Sequence, residues 1–497
     1  MNGSRPLKQP VPEVTARKPM ESLHPPEPDV IVIGAGAAGI SAAVALADSG
    51  LAVTIVEARD RIGGRIFTRL DSKDQAPIEL GAEFIHGKPP QLWNLLENQK
   101  VQIREVDGDN WCFEKRHLTP CTFFADVDEI LQKMSDREHD RSFLEFLAAY
   151  RSKSNNNDDD KVRRAREWAT SYVTGFNAAN PSLVGVHWLV KGMRAEEQIE
   201  GHRAFRTSHG YADLIAIFQQ QLENRGIPVQ TNTVVEGITW RAGHVTLTTS
   251  CPDGMDELSA SRVLITVPLG VLQASPGQAG AIQFRPELPP EKQDSIRNAI
   301  MGKVIRVSLR FRERFWDSLP NSGAKSATRS GTKSRGKSID TNSKTLSGMS
   351  FLFSHDDWFP TWWTTLPEKI PILIGWAPFH CAERLSGRSE SFVVEQSINA
   401  LHRLLGVTTQ ELESLLENVY FHDWQDDPFS RGAYSYGKAG YDGAQQNLAK
   451  PVDGALFFAG EATDIGGHNG TVHGAIASGH RAAGEIISAA KSRAAHG

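Results

Sequence analysis

Short apolar runs and a helical repeat alternate near the start of the chain. Val30–Ile33 and Val53–Val56 are runs of four apolar or β-branched residues, and an alanine-rich segment with helical spacing lies between them. Strands that alternate with helices in this way form parallel sheets, because the helix carries the chain back to the edge where the next strand begins. The pattern therefore predicts a strand–helix–strand unit.

A glycine motif marks the turn between the first predicted strand and the helix. Gly34, Gly36 and Gly39 have the spacing G-x-G-x-x-G. The first glycine permits a tight turn, the second lets the backbone approach a pyrophosphate, and the third lets the helix pack on the strand. Glu57 closes the second strand, about where a ribose-binding acid is expected. These residues predict a dinucleotide site, and by themselves they do not separate NAD from FAD.

Periodic patterns predict further elements along the chain. Helical spacing predicts helices over residues 91–99, 126–150, 161–174, 211–224 and 391–404. A small β-meander attached to the nucleotide domain is predicted from the runs Val229–Thr231, Val234–Trp240, Val245–Thr249 and Val263–Val267. The other predicted elements are strands at Val304–Phe311 and Ala455–Ala459, a glycine-rich loop over 460–470 and a helix over Thr471–Ile487.

Composition and charge narrow the class of protein. The chain has 497 residues, of which 40% are hydrophobic and 23% charged, with a net charge of -5. This is ordinary globular composition with length for more than one domain. A mildly acidic balance gives no case for a nucleic-acid or membrane-surface binder, and no run reaches the apolar length of a membrane span. We therefore expect no nucleic acid and no membrane as partners.

The cysteines and two polar segments add expectations about compartment and order. Residues 1–27 lack the apolar core of a signal peptide and predict a disordered tail, and residues 321–350, rich in Ser, Thr, Lys and Gly, predict a flexible insert. The scattered cysteines predict neither a metal site nor a disulfide framework, and they fit a reducing, cytoplasmic location. They are Cys112, Cys121, Cys251 and Cys381.

Five motifs in a fixed order carry a resemblance to a known family. In chain order they are GAGAAG with VEARDRIGGR, GAEFIHG, MGKVIRVSLRF, WQDDPFSRGAYSY, and FFAGEAT with GTVHGA. Together they resemble the flavin-dependent amine oxidase family, and within it the branch of polyamine oxidases and lysine-specific demethylases. The resemblance covers nearly the whole chain from Asp29 to Ala489.

The resemblance implies FAD as the cofactor. It assigns the pyrophosphate to the three glycines of the first motif and the adenosine ribose to Glu57. Monoamine oxidases carry a flavin-linking cysteine where Ala433 stands, so FAD is expected to be non-covalent. The other residues expected at the cofactor are Arg59, Gly64, Arg65, Gly81, Ala82, Glu83, Phe84, Val235, Trp424, Glu461, Thr471 and Val472.

Three of these assignments have a structural alternative. Val235 would pair its backbone with adenine, or it is a core valine. Glu461 would hydrogen-bond the ribityl or phosphate region, or it forms a structural ion pair, since a buried carboxylate needs a partner. The helix N-terminus at Thr471 would stabilise an anionic reduced flavin through its free N–H groups, or it only packs on the sheet.

Two residues are candidate catalytic groups. In polyamine oxidases and histone demethylases, a lysine in the motif that contains Lys303 reaches the flavin N5 through a water, and a buried lysine there manages protons or oxygen. The alternative is a solvated charge at a strand end. His86 resembles a histidine of some polyamine oxidases that would orient substrate or shuttle a proton; a structural loop histidine is the alternative.

Three tyrosines are expected to bind substrate. Tyr434, Tyr436 and Tyr441 lie in the segment that lines the flavin face in the family, where aromatic walls exclude water and attract cationic amines. Ordinary packing is the alternative. The sequence indicates no metal site and no oligomeric state.

The resemblance implies a reaction and an architecture. The expected reaction oxidises a C–N bond of a polyamine or related amine to an imine, with hydride transfer to flavin and reoxidation by molecular oxygen to hydrogen peroxide. An L-amino acid oxidase, an FAD-dependent amine dehydrogenase and a flavin-stabilised binding protein are the alternatives. The fold class is an α/β FAD-binding domain (Rossmann-like, glutathione-reductase type) over residues 28–90, 203–280 and 444–497, with an α+β substrate domain over 91–202 and 281–443.

Overall fold

The computed structural model describes residues 27–121, 123–150, 159–319 and 345–494. The predicted tail up to residue 26 and residues 321–344 of the predicted insert lie outside these ranges. The end of the insert is structured, because Leu346 is fully buried in a 3₁₀ turn (Leu346–Gly348) and Met349 begins a strand. The insert therefore ends before Leu346 and not at residue 350.

Five parallel strands form the centre of the nucleotide-binding part. Val30 pairs with Val53 on one side and with Arg262 on the other, so the strand–helix–strand unit has the predicted parallel arrangement. The even-numbered residues of the central strand pack against helices, and the odd-numbered ones pack against a second sheet. In spatial order the strands are β10 (Val229–Gln230), β2 (Val53–Val56), β1 (Val30–Ile33), β14 (Arg262–Ile265) and β23 (Leu456–Phe458).

Helices cover one face of this parallel sheet. They share one hydrophobic core with β1 and β2. The last helix of the chain packs directly on the first. These helices are α1 (Ala37–Asp48), α2 (Pro90–Asn98), α7 (Ala212–Arg225) and α14 (Val472–Ala494).

A four-stranded sheet covers the other face. Two of the runs predicted for a meander, those at β10 and β14, belong to the parallel sheet instead. All four residues of β14 are buried, which is typical of a strand covered on both faces. The strands of the second sheet are, in order, β13 (Gly254–Ala260), β12 (His244–Cys251), β11 (Val234–Arg241) and β15 (Gln283–Arg285).

A seven-stranded sheet forms the substrate part of the molecule. Its strands are antiparallel except for one parallel pair. One face packs on a core that includes the long helix α11 (Glu390–Leu405). In order the strands are β21 (Leu416–Phe421), β17 (Val304–Phe311), β20 (Ile372–Pro378), β19 (Thr361–Thr364), β18 (Met349–Phe353), β7 (Asp109–Glu114) and β8 (His117–Pro120).

Four helices pack beside this sheet around the buried rings of Trp168 and Phe143. The single helix predicted over 126–150 is two helices, because Ser142 and Glu145 form a capping box that starts a new one. The four helices are α3 (Phe123–Leu131), α4 (Phe143–Ala149), α5 (Asp159–Gly175) and α6 (Val186–Glu197).

The remaining elements are short. Three small sheets consist of β3 (Thr68–Leu70) with β4 (Pro77–Glu79), of β5 (Ile85–His86), β9 (Ala204–Thr207) and β6 (Ile103–Glu105), and of β16 (Ile300–Met301) with β22 (Ser435–Tyr436). The short helices are α8 (Leu269–Leu272), α9 (Pro290–Asn298), α10 (His380–Leu385), α12 (Thr409–Leu415) and α13 (Ala444–Ala449), with 3₁₀ turns at Phe315–Ser318 and Glu461–Thr463.

Cys112 and Cys121 form a disulfide at the β7–β8 hairpin. The prediction that the cysteines form no disulfide is therefore wrong. Trp111 pairs with Pro120 across the hairpin, so Cys112, which follows Trp111, lies close to Cys121, which follows Pro120. The contact depends on the register of the two strands, which the spacing of the cysteines does not indicate. The cytoplasmic location stays a prediction.

The parallel sheet takes its strands from all three segments expected to build the FAD-binding domain, while the domain boundaries themselves stay a prediction. None of the described helices combines the length and the apolar content that a membrane crossing requires.

Candidate active site

A cavity of about 1340 Å³ opens at the carboxyl end of the parallel sheet. Residues that follow three strand ends line it, namely Gly34 after β1, Glu57 after β2 and Val267 after β14. It extends to the seven-stranded sheet at Arg306 and Trp363. The carboxyl ends of parallel strands are the usual ligand site of such sheets, because loops and helix N-termini meet there.

The glycine turn leaves the N-terminus of α1 open to this cavity. Gly34 has a φ of +105°, which favours glycine, and Gly36 caps the helix without a side-chain hydrogen bond to its free N–H groups. A Cβ at Gly36 would meet no atom within 4 Å, whereas one at Gly39 would lie 2.0 Å from the Gly34 carbonyl oxygen. Open space at the second glycine and close helix–strand contact at the third suit a pyrophosphate.

Glu57 and Val235 lie at the end of the cavity expected to hold adenosine. Glu57 is buried and accepts hydrogen bonds from the N–H groups of Ala35 (2.8 Å) and Arg59 (2.9 Å). Val235 is buried, lines the cavity and also packs in the core beneath the four-stranded sheet. Its two alternative roles are therefore compatible.

Arg59 is held at the cavity wall by Asp427. Its guanidinium donates to Asp427 at 2.7 Å, and the same carboxylate lies 3.0 Å from Nε2 of His422. Burial opposes the charge of Asp427, but the contacts with His422 and Arg59 outweigh it and lower the pKa of Asp427 to about 2. The charge beside Arg59 is therefore permanent at neutral pH.

Arg65 and Glu461 form an ion pair that joins the two ends of the chain. Nη1 of Arg65 lies 2.9 Å from Glu461 and donates to the carbonyl oxygen of Ala433 at 2.7 Å. Glu461 also accepts hydrogen bonds from Ser435 and from the N–H of Gly470. This is the structural ion pair named as the alternative for Glu461, and both partners line the cavity beside Gly64.

The N-terminus of α14 lies at the cavity. The Thr471 hydroxyl donates to the carbonyl oxygen of His468 at 2.7 Å and accepts from the N–H of Gly474 at 3.0 Å. Thr471 and Val472 both line the cavity. The positive end of a 23-residue helix therefore lies where negative charge on a ligand would be stabilised.

The loop from Gly81 to Phe84 crosses the middle of the cavity, and Gly81, Ala82, Glu83 and Phe84 all line it. A Cβ at Gly81 would lie 1.9 Å from the Arg65 carbonyl oxygen, so the loop passes close to the glycine turns. Trp424, also at the wall, donates its indole N–H to Leu80 at 2.7 Å and fixes the start of the loop.

A buried cluster of one acid and two arginines lies beneath this loop. Glu83 lies 2.5 Å from Nη2 of Arg206 and 2.5 Å from Nη2 of Arg306, and Trp363 donates to the same carboxylate. Burial acts to raise the pKa of Glu83, but the two arginine charges outweigh it and hold the pKa below its usual value. The Glu83 carboxylate is therefore charged at neutral pH.

An aromatic arm, made of His86, Phe176, Tyr172 and Tyr434, lines another part of the cavity. The His86 ring packs edge-on against Phe176 at 5.2 Å, and Phe176 stacks on Tyr172 at 5.2 Å. The Tyr434 hydroxyl donates to the carbonyl oxygen of Phe176 at 2.7 Å. Burial lowers the pKa of His86 to about 4, so its imidazole is neutral near pH 7.

Two carboxylates line the cavity near Tyr172. Asp128 lies on α3 and Glu196 on α6, and burial together with their charges raises the pKa of the Tyr172 hydroxyl. Burial raises the pKa of Glu196 to about 7. Within the described ranges, neither side chain has a hydrogen bond or an ion pair.

Comparison with known proteins identifies the family. The model of the family described as "Flavin containing amine oxidoreductase" matches residues 37–487. The chain belongs to this family. It is 27% identical over 485 residues to Polyamine oxidase 4 of Oryza sativa subsp. japonica, covering 92% of this chain and 88% of that protein. It is also 27% identical to Lysine-specific histone demethylase 1 homolog 2 of Arabidopsis thaliana, covering 93% of this chain and 58% of that protein.

Solved structures of amine oxidases share the fold. Wild-type putrescine oxidase bound to putrescine matches with a TM-score of 0.71 and 20% identity, over 93% of this chain and 99% of that one. Cyclohexylamine oxidase from Brevibacterium oxydans IH-35A matches with a TM-score of 0.70 and 20% identity, over 94% and 100%. The predicted fold class, an FAD-binding Rossmann-like domain with a substrate domain, is confirmed.

The protein is thus a flavin-dependent amine oxidoreductase with FAD as its cofactor, and the non-covalent attachment of FAD stays a prediction. The residues present fit this cofactor. The open space at Gly36 and the uncapped N-terminus of α1 suit its pyrophosphate, and the N-terminus of α14 suits the anionic end of a reduced flavin.

Lys303 does not reach the cavity of this oxidoreductase. Its Nζ lies 3.0 Å from Glu383 on α10, and both side chains are about half exposed, at 48% and 47%. In β17, odd-numbered residues such as Ile305 face the core of the seven-stranded sheet, and the even-numbered Val304 and Arg306 line the cavity. The prediction of a buried Lys303 is therefore wrong, and Arg306 is the basic residue that this motif presents to the cavity.

Two of the three predicted substrate tyrosines also lie elsewhere. Tyr436 is buried in the helical core, and its hydroxyl accepts from the N–H of Asn180. Tyr441 is 37% exposed and does not line the cavity. The segment leaves the cavity after Ser435, since the next residue, Tyr436, packs into the helical core. Of the three, only Tyr434 lines the cavity.

Sequence reasoning missed the aromatic and acidic residues of the arm. Tyr172 and Phe176 are four residues apart at the end of α5, a spacing that places side chains on one helix face. That spacing was a usable signal. Glu196 stands in the polar run Ala195–Gln198, where nothing in the sequence separates a residue that faces a cavity from one that faces solvent.

Proposed function

We propose that this enzyme oxidises a C–N bond of a polyamine or related amine and that molecular oxygen accepts the electrons to give hydrogen peroxide. The bound FAD would supply the two-electron oxidation that converts the amine to an imine. The names of relatives in Oryza sativa and Arabidopsis thaliana, polyamine oxidases, support the substrate class. The protein's own residues bind and orient the amine, exclude water and surround the amine with negative charge.

The charge of the cavity carries this proposal. Among the residues that the structure describes, acidic ones that line the cavity outnumber arginines and lysines by ten to four. All four basic residues are arginines paired with carboxylates, whereas Asp128 and Glu196 have no partner in the described part of the chain. Surplus negative charge in a cleft attracts a cationic substrate. The four paired arginines are Arg59, Arg65, Arg203 and Arg306.

The aromatic arm suits the body of such a substrate. The rings of Phe176 and Tyr172 offer apolar surface to an alkyl chain and attract its ammonium groups through their π faces. An amine must lose its proton before it can lose a hydride. Burial keeps the imidazole of His86 neutral near pH 7, so it adds no positive charge that would repel the substrate.

An L-amino acid oxidase is the second candidate. Such an enzyme requires an arginine at the flavin to bind the carboxylate of its substrate. The structure does bring Arg306 to the cavity wall. Its guanidinium is already bound to Glu83 and to the carbonyl oxygen of Gly81, which leaves less of it to offer to a second anion. The polyamine is therefore the favoured substrate.

Turnover of the holoenzyme with an amine panel tests the proposal. We expect polyamines to be oxidised with oxygen consumption and matching hydrogen peroxide, and L-amino acids to be inert. Turnover of L-amino acids alone would contradict the substrate class. Turnover that requires an artificial electron acceptor would make the enzyme a dehydrogenase and contradict the assignment of oxygen.

A further inference from the structure

We infer that Glu196 binds the second ammonium group of the substrate, the one that is not oxidised, and so selects oligoamines over monoamines. This inference rests on the proposed function, because it assigns the far end of the same substrate.

The position of Glu196 supports this role. Two successive ring contacts, from His86 to Phe176 and from Phe176 to Tyr172, separate His86 from Tyr172. The charges of Glu196 and Asp128 act on the hydroxyl of Tyr172. A long substrate whose reacting amine lies beside His86 therefore places its second ammonium group beside these two carboxylates.

The state of the Glu196 carboxylate points to a cation that binds there. The side chain is half-buried, it lines the cavity, and it has no hydrogen bond or ion pair to any residue that the structure describes. A carboxylate that is removed from water without a partner costs free energy. An ammonium group offsets that cost through a charge-assisted hydrogen bond. Asp128 is exposed, so its charge attracts the cationic substrate from solvent but contributes less to the affinity of the bound ammonium group.

A pair of substrates that differ only at the far end isolates this contact. Octylamine and 1,8-diaminooctane share the same reacting end, and only the diamine carries a second ammonium. For the unmodified holoenzyme we expect the KM of the diamine to be about tenfold to a hundredfold below that of octylamine, as expected for a hydrogen bond to a charged group.

Glu196→Gln should remove this difference. We expect the KM of the diamine to rise about tenfold or more, to near that of octylamine. The KM of octylamine should rise much less, because octylamine loses only the general attraction of the cavity charge, and Glu196→Asp should restore part of the difference. Glu413→Gln is the matched control, because Glu413 is exposed on α12 and lies outside the cavity. If Glu196→Gln keeps the unmodified ratio of KM values, the inference is wrong.

Thermal unfolding separates binding from a structural role. Removal of an unpartnered, partly buried charge should leave the Tm unchanged or raise it, whereas a structural carboxylate would lower the Tm when it is replaced. A fall in Tm for Glu196→Gln together with an unchanged KM ratio would assign it to structure. If the unmodified enzyme oxidises neither amine, the proposed function fails, and calorimetric titration of the holoenzyme with 1,8-diaminooctane still tests the Glu196 site.

Discussion

Two basic residues three positions apart in one motif have opposite surroundings. Lys303 is paired with Glu383 at the surface, whereas the Arg306 side chain is 6% exposed and paired with Glu83. The period of two along β17 explains the difference, since it alternates core-facing and cavity-facing residues. A motif resemblance places the strand correctly but does not decide which of its basic residues enters the cavity.

Replacement of each residue should therefore have different results. Lys303→Met should change the free energy of unfolding by less than about 1 kcal/mol, because exposed ion pairs contribute little. Arg306→Met should cost about 1–3 kcal/mol, because it leaves the buried Glu83 carboxylate with one arginine instead of two. Denaturant unfolding of the holoenzyme measures both values. A larger loss for Lys303→Met than for Arg306→Met would contradict the placement of the two side chains.

The Glu196 carboxyl should make diamine binding depend on pH. Burial raises its pKa to about 7, so the group is protonated and neutral below that pH and charged above it. Affinity for 1,8-diaminooctane should therefore rise as the pH rises through about 7, while both ammonium groups still carry their protons. Tyr172 stays protonated over this range because its pKa is raised.

Asp128→Asn provides the comparison for this profile. Asp128 faces the same arm from α3, and burial also raises its pKa. Its replacement should lower the affinity at every pH and keep the rise near 7. Calorimetric titration over a pH series measures both profiles; a flat profile for the unmodified enzyme, or a rise that persists in Glu196→Gln, would assign the titration to another group.

At the scale of elements, the contact between α14 and α1 supports the cofactor site. A Cβ at Gly479 of α14 would lie 2.3 Å from the carbonyl oxygen of Ala38, in the first turn of α1. That turn carries the free N–H groups expected at the pyrophosphate. The absence of a side chain at Gly479 therefore lets α14 pack closely on α1, and this contact fixes the position of α1.

Gly479→Ala should separate the two helices. Overpacking of this kind costs about 1–3 kcal/mol of stability, and the shift of α1 should also weaken FAD binding. Gly484→Ala in the same helix is the control, because its Cβ would meet nothing within 4 Å. The Gly484→Ala variant should be more stable than the unmodified protein by about 0.5–1 kcal/mol, because alanine is the better helix former. Denaturant unfolding and FAD titration of both variants measure the changes in stability and in FAD affinity. Equal changes in the two variants would show that α14 and α1 are not tightly packed at Gly479.

Elements formed by neighbouring residues were predictable, and strand partners were not. The β1–turn–α1 unit follows from local apolar pattern and glycine spacing, and Gly226 ends α7 in a left-handed conformation as expected. The runs at β10 and β14 have the same strand-like pattern as the other two predicted meander strands, yet they pair with β2 and β1. Pairing of this kind depends on segments that are distant in sequence.

At the scale of the whole molecule, the two ends of the site differ in how far the sequence predicts them. The cofactor end is built from contiguous motifs whose glycines and acids have specific backbone roles. The substrate end combines Tyr172 from α5, Glu196 from α6 and Arg306 from β17. Each of these residue types is common on a surface, and only the fold brings the three together around one cavity.

The cavity should bind a cationic amine next to FAD and oxidise it once it has lost its proton. Anaerobic mixing of the holoenzyme with 1,8-diaminooctane or a natural polyamine, followed by flavin absorbance, tests it most directly. We expect the absorbance to bleach at a rate that saturates with amine concentration, and to return on admission of oxygen with one hydrogen peroxide formed per flavin. Flavin absorbance that no amine in the panel bleaches would contradict the account.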